Sequence, residues 1–67
     1  METAHQVAKK LMENNVDISL QSFMRGFWGT RISFPKKDKR KVQRLIPDCR
    51  LLKDMKDKQR LCLEYYG

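Results

Sequence analysis

Residues 20–34 read LQSFMRGFWGTRISF, and the periodicity of their apolar side chains decides how the rest of the chain is interpreted. In the first part of this stretch the apolar residues recur at the i, i+3, i+4, i+7 and i+8 spacing of an amphipathic helix: Leu20, Phe23, Met24, Phe27 and Trp28. Gly29 then supplies the backbone freedom that commonly ends a helix. We therefore predict a helix at 20–28 whose apolar face anchors the core.

The second part of the stretch changes its period from helix to strand. Residues 30–34 alternate polar and apolar side chains and end at Pro35, which has no backbone N–H to donate. This pattern predicts one short strand at 30–34. Because we identify no second strand, its partner is expected in another copy of the chain, which predicts a homodimer with these interface residues: Arg31, Ile32, Ser33 and Phe34. An extended connector that packs on the helices is the alternative.

Helical spacing also marks both ends of the chain. Thr3 and Gln6 form a capping-box pattern, and the apolar residues that follow predict a helix ending near Asn14 and Asn15: Val7, Ala8, Leu11 and Met12. Downstream, two further helices are expected in 45–67, separated near 56–58, with Pro47 at a boundary and with these apolar positions: Leu45, Ile46, Cys49, Leu52, Met55, Leu61, Cys62, Tyr65 and Tyr66. The predicted fold class is therefore mainly α, a small helical domain of three to four helices with one short strand.

Between these parts, residues 36–44 read KKDKRKVQR and concentrate the positive charge of the chain. Six cations and one carboxylate give this segment +5 of the formal +7, and the cations are Lys36, Lys37, Lys39, Arg40, Lys41 and Arg44. We interpret it as a basic loop that joins a helical dimerisation part, 1–35, to the C-terminal helices, 45–67, in a single domain of 67 residues. Clustered cations favour a phosphate backbone or another polyanion, although a solvated linker has the same composition.

Several functional classes have little support in the residues. The only histidine, His5, has no nucleophile at a catalytic spacing, and the three glycines form no phosphate-binding loop, so the protein is not expected to be an enzyme or to use a cofactor. Cys49 and Cys62 form no CxxC pair, which argues against a metal site and suggests buried thiols, with a disulfide as the alternative. No signal peptide or membrane-spanning stretch is recognised, so a cytoplasmic protein without a membrane role is expected.

Two groups of residues fit a binding motif as well as simple packing in the core. A helix-turn-helix over 4–28 would carry Arg25 toward DNA, but Phe23, Phe27 and Trp28 on the same helix demand burial, so packing is favoured. The aromatic residues Trp28, Tyr65 and Tyr66 could stack on single-stranded bases, yet their positions in helical stripes favour packing as well.

Three groups of residues resemble the Mor transcription activator family of transposable phages. The strand region carries Gly29, Arg31, Ile32, Pro35 and Lys36; the following helix carries Leu45, Ile46, Asp48, Arg50 and Asp54; the last element carries Leu61, Tyr66 and Gly67. The similarity covers about residues 16–67. It implies a homodimer whose strands pair across a two-fold axis and a C-terminal helix-turn-helix that binds DNA. In that family the recognition helix follows the Tyr-Gly pair, at which this sequence ends.

The function expected from the sequence is that of a phage-type transcriptional regulator that binds nucleic acid, most naturally double-stranded DNA. Without a recognition helix, the six cations of 36–44 would contact phosphates rather than read bases. The alternative is a small inhibitor that binds a host or phage protein, or a dimerisation module that forms mixed dimers with a relative. A membrane surface is a weaker alternative, because the basic segment has no apolar face.

Overall fold

A computed structural model of the protein describes residues 3–66. Helix α1 comes first, a two-stranded hairpin follows, a short 3-10 helix at Lys36–Asp38 leads into α2, and two further strands complete the fold. The bounds are α1 Ala4–Glu13, β1 Ser19–Met24, β2 Trp28–Pro35, α2 Lys39–Leu45, β3 Leu52–Lys53 and β4 Arg60–Tyr66. The strands form one antiparallel sheet in the order β1-β2-β4-β3. The fold is therefore α+β, and the predicted mainly helical class is wrong.

The helix predicted at 20–28 is a β-hairpin. Leu20 is opposite Ile32 and Met24 is opposite Trp28, so β1 is paired with β2 along its whole length. The connecting turn contains Gly26 at φ +81°, a left-handed conformation that glycine adopts without strain. Apolar residues at i and i+4 share one face in a strand as well as in a helix, which is why the spacing misled the prediction. The turn at Gly26 is the local signal that distinguishes the two.

A strand does occur at 30–34, but its partners lie in the same chain. Strand β2 is flanked by β1 on one side and by β4 on the other, in a register that places Ile32 opposite Leu63. The side chains of Ile32, Ser33 and Phe34 are buried inside the protein. The predicted dimer through this strand is therefore wrong, because both hydrogen-bonding edges of β2 are already occupied within the chain.

The helices predicted for the C-terminal part are also wrong. Residues 60–66 form β4, in which Leu61 and Leu63 face the helices, while Cys62 and Glu64 lie on the opposite face of the sheet. The short strand β3 pairs with β4 at the edge of the sheet. A seven-residue stretch with adjacent apolar residues fits both the helix period and the strand period. The strand forms here because β4 hydrogen-bonds to the second edge of β2.

Helix α1 confirms its sequence signals. The Thr3 hydroxyl accepts from the Gln6 N–H at 3.3 Å, and the Gln6 side chain accepts from the Thr3 N–H at 2.9 Å. Asn14 caps the C-terminal end and Asn15 follows with φ 63°, as expected for a helix stop. Val7, Ala8 and Leu11 are buried, whereas Met12 is 56% exposed and lies outside the core.

The capping box gives a stability prediction. Replacing Thr3 with alanine removes the acceptor for one helix N–H, so the free energy of unfolding should fall by about 1 kcal/mol in urea denaturation. Gln43→Ala is the matched control, because Gln43 is exposed on α2 and its loss should change stability by less than about 0.5 kcal/mol. Equal stability of the two variants would show that the cap contributes nothing.

One apolar core holds the two layers together. Helix α1 and α2 pack on the face of the sheet that carries Ile32 and Phe34, and α2 contributes Val42 to this core. The fully buried large side chains are Phe34, Leu11, Ile32, Leu63, Val7 and Val42. Neither helix in residues 3–66 has the length and apolar character needed to cross a membrane. The helices cover only part of the sheet face, and the hairpin end stays outside the core.

Candidate nucleic-acid interface

The six cations singled out in the sequence lie together on the surface, in an ordered segment rather than a loop. Two of them are in the 3-10 helix and four are in α2, which starts immediately after it. We call this set the α2 cationic surface: Lys36, Lys37, Lys39, Arg40, Lys41 and Arg44. Five of the six are exposed, and the sixth, Lys41, is half-buried and donates to the carbonyl oxygen of Asn14 at 3.3 Å.

The burial of Val42 determines how α2 presents its charges. Val42 is fully buried, and in a helix with 3.6 residues per turn the positions two before and two after it lie on the opposite side. Arg40 and Arg44 occupy those positions and are exposed. The two guanidinium groups therefore lie on the solvent side of the helix, one turn apart.

This arrangement is unfavourable for the isolated helix. Like charges at i and i+4 destabilise a helix by about 0.2–0.5 kcal/mol per pair, and cations near a helix N-terminus oppose the helix dipole. Four of the seven residues of α2 are cationic, and Asp38 before them makes no side-chain capping hydrogen bond. Within residues 3–66, none of the six cations is in an ion pair with a carboxylate. A bound polyanion would relieve this repulsion.

A groove extends the positive surface beyond the segment seen in the sequence. It has a volume of about 570 Å³ and lies between the start of α2 and the β3 edge of the sheet. Lys36 and Lys39 line it from the helical side, and Lys53 and Lys58 line it from the β3 side and the loop after β3. Sequence analysis missed Lys53 and Lys58, because their proximity to α2 follows from the pairing of β3 with β4.

The carboxylate in this groove is already engaged. Asp54 accepts from the backbone N–H groups of Lys56 and Asp57, at 2.9 and 3.3 Å, and from the Ser33 hydroxyl at 3.2 Å. These hydrogen bonds, first that of the Lys56 N–H, keep the pKa of Asp54 below its usual value. Asp54 is therefore ionised at neutral pH, and its oxygens serve the local turn rather than the neighbouring lysines.

Three other arginines, Arg25, Arg31 and Arg60, have partners within the protein, which separates them from the α2 cationic surface. Glu64 accepts from Arg31 at 2.9 Å and from Arg25 at 3.2 Å, and its side chain is only 7% exposed. The hydrogen bond to Glu64 raises the pKa of Arg31. Arg60 donates through Nε to the Ser33 hydroxyl at 2.8 Å and lies 3.8 Å from the Asp17 carboxylate. Arg31 and Arg60 are therefore occupied within the fold, whereas the Arg25 side chain is 61% exposed and stays accessible from solvent.

The histidine and the two cysteines lie apart from the α2 cationic surface. His5 is exposed on α1, and no group of three or more potential metal ligands occurs among residues 3–66. Both cysteines are free thiols; Cys62 is buried, Cys49 is half-buried, and burial raises the pKa of each thiol. The thiols are therefore protonated at neutral pH and poorly nucleophilic.

The aromatic residues of the hairpin do not all pack in the core as the sequence predicted. Phe23 lies over Gly29, where an added Cβ would be only 2.6 Å from the ring, and the edge of Tyr66 meets it at a centroid distance of 5.3 Å. The Arg31 guanidinium lies 5.1 Å from the Phe23 centroid. Phe27 and Trp28, by contrast, are 75% and 68% exposed at the hairpin turn. Phe23 is occupied by its own neighbours, whereas the hairpin turn presents two uncovered aromatic side chains.

No family model, curated protein or solved structure matches the chain. The resemblance of residues 16–67 to the Mor family therefore stays a prediction. One of its structural implications is corrected by the fold, because residues 45–66 form the end of α2, two loops and two strands rather than the start of a helix-turn-helix. Gly67 of that motif lies outside the described residues.

Proposed function

We propose that this protein binds the phosphate backbone of double-stranded DNA through the α2 cationic surface, extended by Lys53 and Lys58 of the groove. The observation that carries the proposal is a cluster of exposed cations without carboxylate partners among residues 3–66. A polyanion supplies the missing negative charge and releases its own condensed counterions on binding. Arg40 and Arg44 can bind phosphates in bidentate geometry, which lysine cannot.

The proposed contacts predict affinity with little dependence on base sequence. Lysine and arginine contacts to phosphates fix the position of a protein on a duplex but carry no sequence information directly. A role in transcriptional regulation of the phage type would rest on these contacts together with a second source of specificity. The exposure of the cations on α2 supports contacts to the DNA backbone most directly, and the proposal is therefore limited to these contacts.

Fluorescence anisotropy with labelled duplexes tests the proposal. Two 20-base-pair duplexes of unrelated sequence should bind with affinities within about threefold of each other at 50 mM salt, and heparin should displace both. Absence of binding to either duplex at this low salt would overturn the proposal. If one duplex bound more than about a hundredfold tighter than the other, the protein would be reading bases and not only contacting the backbone.

A second candidate function is binding to a protein whose acidic surface imitates nucleic acid. It is favoured by the groove, whose lining combines the lysines with the apolar residues Leu51, Leu52 and Leu61. Protein interfaces combine such an apolar centre with a charged rim. A stoichiometric protein partner recovered by affinity purification, together with no anisotropy change for either duplex, would favour this function over DNA binding.

A further inference from the structure

Strand β1 forms one edge of the sheet and lacks the features that usually protect an edge. Within residues 3–66 only β2 pairs with it, so its outer row of N–H and C=O groups has no strand partner. Its sequence, SLQSFM, contains no charged residue and no proline. Natural proteins commonly block edge strands with lysine, proline or a bulge, because an open edge pairs readily with another chain.

Apolar side chains surround this edge. Leu20 and Met24 lie on the same face of β1, the face that the helices cover elsewhere, and they are 50% and 57% exposed. Trp28, opposite Met24, and Phe27 in the turn continue the uncovered apolar surface. Exposed apolar side chains grouped in this way mark an interaction surface rather than ordinary solvent contact.

We propose that β1 pairs antiparallel with β1 of a second copy, giving a homodimer with a continuous eight-stranded sheet. A two-fold axis perpendicular to the sheet makes directly opposite residues point to the same face, which restricts the register. The register that matches apolar side chains places Ser22 opposite the partner's Ser22 and Leu20 opposite the partner's Met24. Each copy then covers the exposed apolar side chains of the other.

Net charge opposes the association of two copies, but the local charges at β1 favour a second copy as the occupant. Two chains of formal charge +7 repel each other, and an uncharged strand at the edge opposite the lysine-lined groove is where that repulsion is weakest. In the proposed register Arg25 is opposite the partner's Ser19 and diagonal to the partner's Asp17, whose side chain is 84% exposed. Two such pairs form in the dimer, one at each end of the interface.

The exposed side chains at this edge offer enough apolar area for a stable interface. Phe27 and Trp28 can each bury roughly 150–250 Å². The same register brings the Phe27 end of the hairpin beside the start of the partner's β1, where Ile18 is only partly buried in the monomer. With Leu20, Met24 and a six-residue backbone edge, the buried area approaches the roughly 800 Å² per partner of a standard interface.

Dimerisation in this way has a consequence for DNA binding, which rests on the proposed function. The perpendicular two-fold axis keeps the helix-bearing faces of both copies on the same side of the joined sheet. Two α2 cationic surfaces are then presented to one duplex, so the second contact becomes intramolecular and the apparent affinity rises. A monomer would keep the single backbone contact and lose only this gain.

Sedimentation velocity tests the interface. The wild-type chain should sediment as a species of twice its 8.0 kDa mass at micromolar concentration, and the dimer should strengthen as salt screens the net charge. Ser22→Lys places two like charges opposite each other at the two-fold axis and should weaken dimerisation at least tenfold. Gln43→Lys adds the same charge on exposed α2 and should leave the dimer intact.

Oxidative cross-linking checks the register independently. Ser22→Cys, combined with Cys49→Ser, should form a symmetric disulfide-linked dimer under mild oxidant, whereas Gln43→Cys in the same background should not. A wild-type monomer at 100 μM and 0.5 M salt would overturn the proposal, as would a Ser22→Lys variant as dimeric as the wild type. Binding of a 10-base-pair duplex by monomeric Ser22→Lys would show that the proposed function stands independently.

Discussion

Replacement of Phe34 with alanine is expected to leave most of the protein unfolded at 25 °C. Phe34 is fully buried in the core between the sheet and the helices, and truncation of a buried phenylalanine costs about 3–5 kcal/mol. A domain of this size commonly has only roughly 3–5 kcal/mol of total stability. Far-UV circular dichroism and amide chemical-shift dispersion should therefore report the loss of the native state.

Phe27→Ala is the matched control for this variant. It removes the same side chain from a position that is 75% exposed in the hairpin turn, so the free energy of unfolding should change by less than about 0.5 kcal/mol at low protein concentration. An equal change in the free energy of unfolding for the two variants would contradict the placement of Phe34 inside the core and of Phe27 at the surface. A well-folded Phe34→Ala protein would contradict the burial of Phe34 in the core and would be consistent with a surface position for this residue.

The second large effect concerns binding. Substitution of Lys37, Arg40 and Arg44 by glutamine should lower duplex affinity by roughly a hundredfold at 50 mM salt, because three phosphate contacts and the counterions that they release are lost together. The three side chains are exposed and make no ion pair within residues 3–66, so the fold should be unaffected or slightly more stable. Anisotropy titration and urea denaturation measure the two properties.

A second triple variant controls for net charge. Lys9, Arg50 and Lys56 are exposed and lie outside the α2 cationic surface, and their replacement by glutamine removes the same three charges. Its duplex affinity should fall by less than about tenfold, since only the long-range attraction is reduced. An equal loss in both triple variants would assign binding to the overall charge of the protein and not to α2.

Local signals predicted the first helix and its boundaries well. The Thr3 and Gln6 capping box, the buried face of Val7 and Leu11 and the stop at Asn14 all follow from interactions within a few residues. Such interactions are readable from sequence because their partners are at fixed spacing. The strand at 30–34 was recognised for the same reason, from its alternation and the following proline.

Non-local pairing explains what the sequence analysis missed. A lone strand does need hydrogen-bonding partners, but the partners of β2 are residues 19–24 and 60–66 of the same chain. In both segments the apolar spacing is compatible with either period, and only the sheet decides between them. The groove could not be predicted for the same reason, because Lys53 and Lys39 line it together only once β3 is paired with β4.

The basic segment illustrates what composition alone can provide. Residues 36–44 could be identified as a cationic cluster, and their exposure follows from a net charge of +5 that a single carboxylate does not neutralise. Their helical geometry depends on Val42, which anchors one side of α2 in the core and leaves Arg40 and Arg44 toward solvent. Sequence analysis predicted the charge of the site, and the fold supplies its shape.

The salt dependence of duplex binding tests the central claim most directly. For the wild-type protein, a plot of log K against log salt concentration between 50 and 200 mM should be linear, with a slope near −5 for the six cations of the α2 cationic surface and near −7 when Lys53 and Lys58 also contact phosphates. The Lys37, Arg40 and Arg44 triple variant should reduce the magnitude of the slope by about three. A slope near zero, or one that this variant leaves unchanged, would contradict phosphate binding by α2.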